Sequence, residues 1–143
     1  MTGPALAEHA PHNAMQDAGE IARFHDRCSD LMRELLHGLA RAPGRPRAFP
    51  EVEQEIGWPH RRIASVLGGV AHLRMTEFEG RRPYRFKDPR QAASGRWEIW
   101  VDAEQADAVR AARAGAAADA GWLSDIVAGT ARRRHERSDP GAP

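Results

Sequence analysis

The chain has 143 residues, 41% of them hydrophobic and 29% charged, and a formal net charge of +1, which suits one compact domain with terminal additions. No apolar run approaches the roughly 20 residues of a membrane span, and no basic segment followed by an apolar one opens the chain, so a cytoplasmic protein without membrane contact is expected. Cys28 is the single cysteine, so it has neither a disulfide partner in the chain nor companions for a thiolate metal site. It reads as a small buried hydrophobe in a reducing compartment.

Charge is unevenly spread. Residues 1–40 carry three Arg against six acids, residues 41–98 eleven Arg and one Lys against seven, and residues 99–143 six Arg against seven. The central +5 is where an electrostatic footprint for nucleic acid would lie. Lys87 is the one Lys among 21 cations, a usage associated with GC-rich genomes, so a given Arg need not be a phosphate or carboxylate fork.

Residues 1–14 hold two Pro, two His and small side chains without periodicity, and read as a disordered arm. A helical pattern starts near Met15, with Ile21, Phe24 and Cys28 on one side. Asp26 or Ser29 is a candidate cap for a second helix over 30–41, whose stripe is Leu31, Leu35, Leu36 and Leu39. Pro43, Gly44 and Pro46 end it. A short helix over 49–56 admits Pro50 in its first turn, and Gly57-Trp58-Pro59 predicts a tight turn. A longer helix follows over 59–74, with Pro59 at its first position and Ile63, Val66, Leu67, Val70 and Leu73 on one face.

Extended runs over 84–86 and 96–101, joined by a polar loop over 87–95, predict a hairpin. In its second strand Trp97, Ile99 and Val101 point one way, and Glu98 and Trp100 the other. Asp102 suits the N-cap of a helix to 113. A last helix over 116–134 aligns Trp122, Leu123, Ile126 and Val127. There is no internal repeat.

Residues 49–69 resemble the helix-turn-helix pattern. With Gly57 as the turn glycine, Val52 and Ile56 take the apolar positions of the first helix, Trp58 that of the turn, and Ile63 and Val66 those of the second. Glu53 departs from the pattern, which has a small residue there. With Glu51 and Glu55 it crowds a helix that normally sits near phosphate, and the three read as a solvated acidic face. The hairpin is similar to the wing of winged-helix proteins, and length and element order resemble MarR-type regulators and winged-helix proteins of actinobacterial or phage type.

The expected fold is therefore mainly α with a small β-hairpin: a winged helix-turn-helix over 15–114, with its motif at 49–69 and its wing at 81–101. A C-terminal amphipathic helix over 115–136 and a disordered tail over 137–143 complete the expected chain.

The resemblance implies a double-stranded DNA-binding regulator whose second motif helix reads the major groove. His60, Arg61, Arg62 and Ser65 would face the bases or phosphates, with Arg81, Arg82 and Arg85 of the wing, and Arg47, touching backbone or minor groove. A homodimer is expected through Ile21, Phe24, Trp122, Leu123, Ile126 and Val127. The alternative is a winged helix that binds protein, favoured by the modest charge and the three glutamates. No nucleophile elbow, phosphate loop, carboxylate pair or metal-ligand spacing is present, so neither enzyme activity nor a cofactor or metal is expected. A small-molecule or protein effector is left open.

Overall fold

The computed structural model describes residues 13–116 and 118, and the chain divides into two compact units, 1–112 and 113–143. In the second unit, residues 113–116 and 118 are helical and exposed. The first unit holds the core and the sheet.

Its core begins with two capped helices. α1 (Ala18–Arg27) begins at Asp17, whose carboxylate accepts from the Gly19 N–H. α2 (Asp30–Ala40) begins at Ser29, whose hydroxyl accepts from the Met32 N–H at 3.2 Å. Arg33 reaches back to the carbonyls of His25 and Asp26, satisfying acceptors that the last turn of α1 leaves open. Ile21, Phe24, Met32, Leu35, Leu36 and Leu39 are all within 1% of full burial. At about 2 kcal/mol for each large apolar side chain, this pair is a substantial part of the core.

A two-residue strand, β1 (Arg47–Ala48), leads into α3 (Phe49–Ile56), with Pro50 in its first turn. The next two helices are α4 (Arg62–Gly69) and α5 (Ala71–Glu77). The hairpin β2 (Arg85–Lys87) and β3 (Glu98–Trp100) follows. β3 lies centrally in a three-stranded antiparallel sheet of order β1-β3-β2, pairing Arg47 with Ile99 on one side and Phe86 with Ile99 on the other. Residues 103–116 are helical, and in the first unit Ala106 and Val109 of this stretch are fully buried. The chain is thus mainly helical with a small antiparallel sheet. Asp102 caps that last helix as expected: its carboxylate accepts from the Gln105 N–H at 2.7 Å and the Gln105 amide oxygen accepts from the Asp102 N–H at 3.0 Å.

Several expectations are corrected. α1 starts at Ala18 rather than Met15, because Met15 is held in extended backbone: its N–H donates to the Arg82 carbonyl, and its own carbonyl accepts from Gln105. Leu31 is 37% exposed and Met32 takes its place in the core. The expected helix over 59–74 begins three residues late and is broken at Val70, where φ is −99° and ψ 1°. The adjacent Gly68 and Gly69 weaken helical continuity there. Trp97 is 46% exposed and Glu98 is buried, so both depart from the expected alternation, which Ile99 and Val101 obey.

Glu53 is 3% exposed, so it is no part of a solvated face. Its carboxylate accepts from the Ile63 N–H at 2.9 Å, at the start of α4, where free amide groups carry partial positive charge. Cys28 is buried, and desolvation pushes its thiol up to about 11, so it stays protonated and unreactive at neutral pH. Replacing Glu53 with Ala is expected to lower the unfolding free energy by about 2 kcal/mol, as a buried cap is lost. Urea denaturation checks this, with exposed Glu51→Ala as the control that leaves the midpoint in place.

Candidate nucleic-acid interface

Three features set the pose of α4. Gly57 ends α3 in the left-handed region, at φ 84° and ψ 28°, a conformation that costs a residue with a Cβ about 1 kcal/mol or more. The Glu53 carbonyl accepts from the N–H groups of Gly57 and Trp58, at 2.9 and 2.7 Å. The Glu53 carboxylate then receives the N–H of Ile63, so one residue closes both sides of the turn. Val52, Ile63 and Val66 are buried between the helices, and Ile56 and Trp58 pack against the same core from half-buried positions. All five apolar positions of the expected motif are therefore buried or half-buried.

On the outer side, His60, Arg61 and Ser65 are exposed and Arg62 is half-buried. His60 and Arg61 stand in the turn before α4, not on the helix as expected, because the chain becomes helical only at Arg62. Arg61 adopts φ 67°, a left-handed conformation that is uncommon for a side chain of its size. Among the described residues, Arg61 and Arg62 form no ion pair with a carboxylate, and the same holds for exposed Arg90 and Arg96 in the loop between β2 and β3. That loop is held by Asp88, which accepts from the N–H groups of Arg90 and Gln91 at 2.8 and 3.0 Å.

The remaining sequence candidates have structural partners. Arg47 is 3% exposed and ion-pairs with Glu55, so it is removed from the expected DNA contacts. Arg81 grips Glu20 through Nε and Nη2, at 2.9 and 2.5 Å, and pairs with Glu79 as well. Its guanidinium ties the segment before β2 to α1. Arg85 pairs with Asp102 at 3.0 Å, joining β2 to the cap of the last helix. Arg82 lies over the Phe86 ring, 4.6 Å from its centroid. Ile21 and Phe24 are 1% and 0% exposed within their own chain, so they cannot form a dimer seam; Trp122, Leu123, Ile126 and Val127 lie outside the described residues.

Sequence reasoning missed a groove beside α4. Ala64, Leu67 and Gly68 of α4, with Ala71 and Arg74 of α5, make one wall of a cavity of about 510 Å³. Tyr84, Phe86 and Trp97 make the other, with Phe49 and Arg82 completing the lining. Phe86 and Trp97 are in ring contact, with centroids 5.7 Å apart. Burial lowers the Arg74 pKa from its ordinary value, and the charge of Arg82 acts in the same direction. The spacing of residues 64, 67, 68, 71 and 74 suits one helical face, but four of them are small or apolar, and Leu67 reads as part of the packed stripe.

Comparison of the chain with family models, curated proteins and solved structures returned no match. Arg81→Ala is expected to lower the unfolding free energy by about 1 kcal/mol, since it leaves the largely buried Glu20 carboxylate without its fork. Chemical denaturation reads the loss, and an unchanged midpoint would mean that the pair is held no better than a solvated surface contact.

Proposed function

We propose that this is a winged helix-turn-helix protein that binds double-stranded DNA sequence-specifically and acts as a transcriptional regulator. In this reading α3 and α4 are the motif, α4 enters the major groove, and β2, β3 and their loop are the wing. The observation that carries it is the cluster of His60, Arg61 and Arg62 at the N-terminal end of α4, exposed or half-exposed and, for the two Arg, without carboxylate partners among the described residues. Cations there meet phosphate or guanine edges if the helix end enters the groove. The sheet order β1-β3-β2 supports the winged-helix assignment, because it sets the hairpin beside the motif through the strand that precedes α3.

Arg61 adds a second support. A left-handed backbone at a residue with a long side chain costs about 1 kcal/mol, which Gly would avoid. Such strain is a mark of a side chain kept for function. The proposed contacts are His60, Arg61, Arg62 and Ser65 from the motif, and Arg90 and Arg96 from the wing loop. Arg81 and Arg85 act within the fold.

One observation favours the rival reading, a winged helix that binds protein: Arg47, Arg81 and Arg85 are neutralised inside the fold, which leaves the central segment less cationic than its composition suggests. The two readings differ in salt dependence. Under the DNA reading, Arg61→Gly is expected to raise stability by about 1 kcal/mol while weakening duplex binding, and Arg62→Ala is expected to cost about 1–3 kcal/mol in affinity for a selected site. Fluorescence anisotropy with labelled duplexes from a random library, followed by thermal melts of each variant, measures both. Binding that is absent at low salt, or indifferent to both substitutions, would contradict the assignment.

A further inference from the structure

The groove between the α4–α5 wall and the sheet combines two properties seldom found on a solvated surface. Its lining is dominated by apolar and aromatic side chains, and Trp97 is left 46% exposed at its edge. Its volume, about 510 Å³, is that of a small-molecule site rather than of a packing defect. Two guanidiniums, Arg74 and Arg82, belong to the lining, Arg82 over the Phe86 ring, and neither pairs with a carboxylate among the described residues.

This sets them apart from Arg27, Arg33, Arg47, Arg81, Arg85 and Arg110, each of which has an acidic partner. Arg74 donates through Nη1 to the Gly80 carbonyl at 2.9 Å, while its Nε is buried without a hydrogen-bond partner. A buried donor without an acceptor carries a desolvation cost, which an acceptor brought by a ligand would recover.

We propose that this groove is a binding site for a small organic anion: an apolar, preferably flat body lying against Phe86 and Trp97, with a carboxylate or sulfonate directed at Arg74 and Arg82. The apolar majority of the lining selects the body, since polar edges would find few partners there. The two cations without a carboxylate partner select the head, because an anion beside them relieves their mutual repulsion and receives charge-assisted hydrogen bonds. Phosphate alone would engage the arginines and leave the aromatic walls wet. The site does not depend on the DNA reading. If that reading holds, the ligand lies against Ala64 and Gly68 of α4 and competes with duplex for that face.

The test uses the full 143-residue chain and 8-anilinonaphthalene-1-sulfonate, with uncharged N-phenyl-1-naphthylamine as its partner probe. Gly68 lines the groove, has open space where a Cβ would stand and is not left-handed, so Gly68→Leu places a side chain in the groove and favours the helix. The sulfonate is expected to bind saturably at one site, about tenfold more tightly than the neutral probe, the increment of one good charged contact. Gly68→Leu is expected to abolish that binding and Arg82→Gln to weaken it about tenfold, with circular dichroism unchanged. Equal affinity for the two probes, insensitivity to Gly68→Leu, or absence of saturable binding would each overturn the proposal.

Discussion

The placement of α4 depends on one buried carboxylate. Glu53 sits 3% exposed between α3 and α4, where an ionised group would be costly without partners, and its oxygen receives the N–H of Ile63. The first amide groups of a helix have no intrahelical acceptor, so the carboxylate and the helix start satisfy each other. The same residue's carbonyl takes two N–H groups from the turn, which only the left-handed Gly57 allows the chain to reach. The helix-turn-helix pattern that residues 49–69 resemble has a small side chain at this position. Here a polar joint stands in that place and fixes the start of α4.

Around that joint, arginine acts chiefly as a fastener. Arg47 with Glu55 joins β1 to α3, Arg81 with Glu20 joins the segment before β2 to α1, and Arg85 with Asp102 joins β2 to the cap of the last helix. Arg110 donates to the Ala40 carbonyl at 2.5 Å, closing the end of α2. Guanidinium suits these places because its planar fork meets carboxylates and carbonyls with defined geometry. Cations without an acidic partner include those at the turn before α4, in the β2–β3 loop and at the mouth of the groove. The positive charge of the central segment is therefore concentrated at fewer points than the sequence suggests.

Much of the fold could be read from spacing. Helix α3, the Gly57 turn, the hairpin and the Asp102 cap follow from local rules: a proline tolerated in a first turn, a glycine at a left-handed position, alternation, and an Asp-x-x-Gln cap. What escaped was set by long-range partners. Arg47 and Glu53 look like surface residues because their burial depends on Glu55 and the Ile63 amide, eight and ten positions away. Ile21 and Phe24 read as a seam because nothing local says that the α1 stripe closes on its own core. The groove escaped because its two walls are separated in the chain, and neither looks like a site alone.

The central claim is that the outer face of α4 and the β2–β3 loop form one surface for duplex DNA. Amide chemical-shift mapping of the ¹⁵N-labelled chain, titrated with a selected duplex at low salt, tests it most directly. Shifts concentrated at His60, Arg61, Arg62, Ser65 and Gly68 and at Arg90, Gly95 and Arg96, diminishing as salt rises, are the predicted result. Shifts confined to α1 and α2, or spread evenly over the surface with no cluster at α4, would contradict it.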